Sequence, residues 1–156
     1  MARHLQLSAK ITVCRYNELS DREKKLVTAA REATQGAYAP YSRFAVGAAV
    51  ELSDGRIIPG SNQENASYPV GLCAERVALF AAGATAGTVP PVAIALAACD
   101  KGQAVGKPVT PCGACRQVMR EIEMRYGQPL RILMCGAEEI YIAESAADLL
   151  PLSFEL

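Results

Sequence analysis

The chain of 156 residues carries 16 basic and 16 acidic side chains, and 51% of its residues are apolar. Zero formal charge argues against a broad basic face for nucleic acid, and this length and apolar content predict one domain, residues 1–156, with a substantial core. No apolar run reaches the roughly 18 residues that span a bilayer, and Met1-Ala2-Arg3-His4-Leu5 lacks the apolar core of a secretory signal, so a cytoplasmic location is expected.

Over residues 4–16, Leu5, Leu7, Ala9, Ile11 and Val13 alternate with mostly polar neighbours. That is the pattern of a half-buried strand, which makes residues 1–16 a strand-like N-terminal extension. Ser20-Asp21-Arg22-Glu23 reads as a capping box that opens a helix running to about Ala37. Its Leu26, Ala29, Ala30, Ala33 and Ala37 form a narrow face of mostly small side chains, suited to close packing on a sheet. Pro40 breaks the pattern, because it disfavours helical geometry at Ala39. Phe44–Leu52 reads as a strand, Asp54-Gly55 as a hairpin turn and Arg56–Gly60 as the returning strand.

A polar loop over 61–71 precedes a helix from Cys73 to about Ala82. Val92–Cys99 is a continuous apolar run of the kind found in a central strand. Asp100–Thr110 reads as a loop, and Cys112–Tyr126 as a helix stopped by Gly127. Strands are expected over 130–135 and 140–143, and a short last helix over 144–150. Hairpins mixed with crossover helices predict a layered α/β domain with a mixed sheet.

The histidine count constrains the chemistry. His4 is the only histidine, so a histidine-based triad or a multi-histidine metal site is excluded within one chain. Metal chemistry must rest on thiolates and carboxylates. Of the six cysteines, Cys14, Cys99 and Cys135 lie in apolar, strand-like contexts and read as small buried side chains. Cys112 and Cys115 are three residues apart at a helix start, which puts both sulfurs on one side. Cys73 opens a second helix. Three thiolates with an open fourth position mark a catalytic zinc site rather than a structural one. Glu75, two residues beyond Cys73, leans over such a site without ligating it. Three thiolates on a dication leave an excess negative charge. The two helix N-termini relieve it, as would hydrogen bonds from Arg76 or Arg116.

These segments resemble the small homo-oligomeric cytidine deaminases. The resemblance spans roughly Gly36 to Phe154 and rests on six blocks in order. They are Tyr38–Phe44, Val46–Ala49, Gly60–Ala66, Cys73-Ala74-Glu75-Arg76, Pro111-Cys112-Gly113-Ala114-Cys115-Arg116 and Leu149–Phe154. The resemblance implies a three-layer α/β fold, with a mixed sheet of about five strands and helices on both faces. It implies one Zn2+ per subunit on Cys73, Cys112 and Cys115, with Glu75 as the catalytic proton shuttle. The reaction is hydrolytic deamination of cytidine and deoxycytidine to uridine and deoxyuridine, with release of ammonia, in pyrimidine salvage.

The resemblance further implies that Asn62 and Glu64 hold the ribose hydroxyls, that Phe44 packs on the base and that the Ala74 backbone contacts the pyrimidine. Arg76 corresponds to the arginine that bonds the thiolates. Phe154 corresponds to an aromatic placed near a neighbouring subunit's site, in a homotetramer, with a dimer as the fallback. No nucleic-acid or membrane partner is expected. The competing readings are a deaminase of another cytosine substrate, such as a nucleoside antibiotic or deoxycytidylate, and a binding module around a structural zinc. The latter would want a fourth protein ligand.

Overall fold

The structure, a computed structural model, describes residues 2–156. Strands β1 (Ile11–Arg15), β2 (Phe44–Leu52), β3 (Ile57–Ser61), β4 (Pro91–Asp100), β5 (Gln103–Ala104), β6 (Arg131–Cys135) and β7 (Glu139–Ala143) form one sheet. The order is β1-β7-β6-β4-β2-β3, with the short β5 added on β4. Helices α1 (Asp21–Ala33), α2 (Ala74–Ala86) and α3 (Gly113–Tyr126) pack against it. Among the strands of the described residues one pair, β4 with β6, is parallel; it needs a crossover, and α3 supplies it.

Along the central strand β4 the two faces of the sheet differ in side-chain size, and this positions the helices packed over it. Along β4, Ala93, Ala95 and Ala97 join the cluster built on Leu26, Val27 and Ala30 of α1. Ile94 and Leu96 point the other way, into the cluster with Ala74, Ala78 and Leu79 of α2 and Met119 of α3. Strand alternation thus gives α1 a shallow face and α2 and α3 a deep one. Two glycines allow the closest approaches. A Cβ on Gly47 would lie 2.1 Å from Ala30 O in α1, and one on Gly60 would lie 2.5 Å from Ala78 N in α2.

Local signals account for the helix ends. The Ser20 hydroxyl accepts from Glu23 N–H at 3.3 Å while Glu23 Oε2 accepts from Ser20 N–H at 2.9 Å, closing the expected capping box. Glu23 also pairs with Arg131 of β6 at 2.9 Å, so the start of α1 is tied to the sheet. Gly127, at φ 66°, stops α3 in the left-handed conformation. Glu123, only 4% exposed, is a buried hub at that end. Its carboxylate accepts from the backbone N–H groups of Leu130 and Ala146, both at 2.8 Å, from Ser145 Oγ at 3.0 Å and from Arg120 at 3.2 Å.

Several expectations are corrected. The sheet has seven strands rather than about five, because the N-terminal extension contributes β1 and the 100–110 loop doubles back at Gly102 to form β5. The extension is strand only over Ile11–Arg15. Leu5 and Leu7 are 73% and 48% exposed rather than half-buried, since β7 offers only residues 139–143 for pairing and no layer covers the arm beyond it. Helix α1 ends at Ala33 and continues as a 3-10 turn over Thr34–Gly36 instead of running to Ala37. The Thr34 hydroxyl bonds back to Arg31 O at 2.7 Å there. Helix α2 runs past Ala82 to Ala86. The last helix is a 3-10 turn over Ala146–Asp148. All six cysteines are free thiols; Cys135 is buried, whereas Cys14 and Cys99 are half-buried rather than fully inside.

Candidate active site

Cys73 caps the N-terminus of α2 and Cys112 caps that of α3. Both have extended backbones and neither side chain caps its own helix. Their sulfurs are therefore free, and each faces the positive end of a helix whose leading N–H groups lack side-chain partners. Cys115 follows on the first turn of α3, fully buried. The Cys73 and Cys112 sulfurs are 3.7 Å apart, and those of Cys112 and Cys115 are 3.4 Å apart. Among the described residues these three form one group whose ligand atoms all lie within 4.8 Å of one another. Tetrahedral zinc with sulfurs at about 2.3 Å requires sulfur–sulfur spacings of about 3.8 Å. The trio fits a zinc ion.

The electrostatics fit as well. The hydrogen bond from Cys115 and, after it, those from Arg76 and Cys112 outweigh burial and hold the Cys73 thiol down to about 5. Cys115 is pushed far up in turn by its hydrogen bond to Cys73 and by burial. One negative charge in the trio thus opposes the next. A dication among the sulfurs would remove that opposition, since a coordinating thiol is deprotonated outright. Arg76 Nη2 reaches Cys73 Sγ at 3.9 Å, while its Nε is buried with no partner in the polypeptide. Arg116 turns away from the sulfurs. Its Nε donates to Pro111 O and its Nη1 to Leu149 O, both at 2.8 Å.

Glu75 is 4% exposed. Burial pushes its carboxyl up, and charge on Cys73 pushes it further, against the opposing pull of its own backbone N–H, Cys115 and Arg76. Glu75 lines a cleft of about 680 Å³ together with Cys73, Cys112, Arg76, Phe44, Asn62 and Glu64.

Of the remaining sequence-predicted positions, Ala74 is fully buried, at 0% exposure, and packs in the core beneath α2 rather than lining the cleft. Phe154 is 68% exposed on the C-terminal tail. Its carbonyl takes Gln117 Nε2 of α3 at 3.0 Å, outside the cleft of its own chain.

The loop residues are held by backbone. Glu64 Oε2 accepts from Tyr41 N–H at 2.9 Å and Ser42 N–H at 3.2 Å. The hydrogen bonding from Ser42 and Tyr41 outweighs slight burial and keeps the carboxyl below its ordinary value. Asn62 bridges the start of β2, accepting from Val46 N–H at 2.8 Å and donating to Phe44 O at 2.9 Å. One amide hydrogen and one lone pair remain. Sequence reasoning assigned no role to Tyr41 and Tyr68, which also line the cleft and meet edge to face at 6.0 Å. Nor did it single out Val46, Leu72 and Val109, which give the cleft apolar walls. Tyr41 and Val46 lay inside the quoted blocks, but nothing in their spacing distinguishes wall from core.

Three sulfurs around one point, a buried carboxyl beside them and an open cleft above define the class: a metal-dependent hydrolase on a three-layer α/β scaffold. Comparison with known proteins narrows it. The profile of the cytidine and deoxycytidylate deaminase zinc-binding region matches residues 20–126. A cytidine deaminase of Halalkalibacterium halodurans is 54% identical over 97 residues, covering 62% of this chain and 69% of the relative. One from Mycobacterium tuberculosis is 41% identical over 130 residues, covering 81% and 85%. The crystal structure of cytidine deaminase from Burkholderia pseudomallei superposes with a TM-score of 0.71 at 43% identity, covering 83% of this chain and 97% of that one. The chain belongs to the cytidine deaminase family.

Proposed function

We propose that this protein is a zinc-dependent cytidine deaminase that converts cytidine and deoxycytidine, with water, to uridine and deoxyuridine and ammonia, in pyrimidine salvage. The observation that carries this reading is the convergence of three sulfurs at zinc spacing with a buried glutamate, where Cys73, Cys112 and Glu75 line the cleft that also holds Asn62 and Glu64. Cys73, Cys112 and Cys115 hold the zinc. The ion, when bound, supplies the Lewis acidity that makes water nucleophilic at neutral pH.

The rest of the work falls to the chain's own groups. Glu75 takes a proton from the attacking water, delivers it to ring N3 and then carries one to the departing amine. Its buried position keeps the shuttle out of bulk solvent. Asn62 uses its spare amide capacity and Glu64 its second carboxylate oxygen to hold the sugar hydroxyls. Phe44 packs on the base, and the Ala74 backbone contacts its edge. Arg76 draws charge from the Cys73 thiolate. A carboxylate at Glu64 would repel a phosphate, which favours nucleosides over nucleotides.

We further take residues 1–156 as one domain, supported by the single sheet. We infer a homotetramer, with a dimer as the smaller alternative, in which Phe154 reaches a neighbour's cleft. The exposure of Phe154 and of Phe80, at 68% and 50%, supports this. A cytoplasmic location agrees with six free thiols, and among the described residues no helix is long and apolar enough to cross a membrane.

The test is direct. Zinc-loaded protein is given cytidine or deoxycytidine, and ultraviolet absorbance and ammonia are followed with and without a chelator. Turnover of both that the chelator abolishes is the expected result; no turnover of either sinks the reading. Glu75→Gln should keep its zinc and lose several orders of magnitude in kcat, roughly 10²–10⁴-fold for the proton transfers alone. Near-normal turnover would remove Glu75 from the shuttle role.

A further inference from the structure

Arg116 sits on the first turn of α3, one residue beyond Cys115, yet it touches neither sulfur nor cleft. Its guanidinium joins two segments far apart in sequence. Nε donates to the carbonyl of Pro111 and Nη1 to the carbonyl of Leu149, both at 2.8 Å. The same residue's backbone N–H bonds Cys112 O at 3.0 Å, so Arg116 grips the chain on both sides of the Pro111–Cys112 link.

Leu149 is the root of the C-terminal tail. From there the chain reverses through Pro151 and Leu152, the latter at φ 54°, and returns along the same helix face. Gln117 takes Phe154 O at 3.0 Å and Arg120 takes Glu155 at 2.7 Å. The tail is thus hooked around the Arg116 guanidinium. A planar fork can hold two carbonyls at once in fixed directions, whereas an amine on a flexible stem cannot.

We propose that Arg116 is a positioning residue that couples the metal-binding loop to the C-terminal tail. Order at Cys112 is transmitted through one guanidinium to Leu149 and so to the segment bearing Phe154. The coupling rests on the reading of the three cysteines as a zinc site. It is reciprocal: metal on the trio steadies the tail, and a docked tail slows loss of metal.

The experiment uses the full chain, zinc-loaded and zinc-stripped, at one concentration where light scattering gives the same oligomer for all samples. Carboxypeptidase release of Phe154 reports the tail, and transfer of zinc to a colorimetric chelator reports the loop. In the wild type, stripping zinc should speed Phe154 release at least several-fold. In Arg116→Gln, release should be fast with or without zinc, and zinc transfer about 10–100-fold faster than in the wild type. Arg116→Lys keeps the charge without the fork and should behave like Arg116→Gln.

Equal Phe154 release from loaded and stripped wild type overturns the coupling, as does wild-type zinc retention and tail protection in Arg116→Lys. If Arg116→Gln does not fold, the wild-type comparison and the lysine variant still decide. A wild type that takes up zinc and deaminates cytidine but shows no metal effect on the tail overturns this proposal alone. One that takes up no zinc overturns the zinc reading beneath it as well.

Discussion

Among the described residues, Arg76 carries the one buried side-chain nitrogen or oxygen without a hydrogen-bond partner. One end of its guanidinium reaches Cys73 Sγ, while its buried Nε finds no acceptor in the polypeptide. Such a group belongs beside concentrated negative charge, which a thiolate trio provides. Arg76→Gln should weaken zinc retention by about 10–100-fold, the usual effect of losing a donor to a metal ligand. A competition titration against a chelator of known affinity measures it. Unchanged retention would leave the charge relief to the two helix N-termini. At this scale the site was largely legible: Cys73, Glu75, Cys112 and Cys115 declare themselves by type and spacing, and the structure brings them together. Glu123 did not, and Arg116 was legible only as a candidate donor to the sulfurs, which it does not reach. Their partners are the carbonyls of Pro111 and Leu149 and the amides of Leu130 and Ala146, and backbone groups carry no residue-type signal.

Between residue and fold, the loop leading to Cys112 is set by the β6–β7 turn. Val109 N–H bonds Cys135 O at 3.2 Å and Ala137 N–H bonds Val105 O at 2.9 Å. A Cβ on Gly136 would lie 2.8 Å from both Gly106 O and Pro108 N. These are backbone atoms, so the loop itself must move. Gly136→Ala should cost about 1–3 kcal/mol by overpacking and should speed zinc loss, because Val109, Thr110 and Cys112 shift with the loop. Gly83→Ala makes the same chemical change inside α2, where nothing lies within 4 Å. It should instead stabilise by roughly 0.5–1 kcal/mol. Urea unfolding of the two variants checks the opposite signs. Elements with a local cause, such as α1 from its capping box and α3 from Gly127, were readable in advance. The reach of the N-terminal arm was not, because pairing length depends on β7, a strand far away in sequence.

For the molecule as a whole, acid stability follows from where carboxylates tie elements together. At Glu23, burial is outweighed by the Ser20 hydrogen bonds and Arg131; at Glu155, Arg120 and Ser153 lower the carboxyl. A carboxyl depressed in the folded state adds stability that is present above its unfolded value. That stability is lost as pH falls through its folded one. Urea midpoints should therefore decline from about pH 5 downward, and Arg131→Gln should flatten part of that decline. A midpoint that climbs on acidification in the wild type would refute the assignment. The strand count was underestimated for a related reason. A sheet edge is closed by whichever segment the finished fold leaves nearby, and β1 joins β7 across nearly the whole chain. The sulfur trio shares this non-local character. Cys112 and Cys115 are neighbours in sequence, but Cys73 stands 39 residues from Cys112, with the central strand β4 between them. A metal held there would close a loop around that strand, much as a disulfide would. The ion would then be a removable cross-link: a staple that a reducing environment leaves intact and a chelator withdraws.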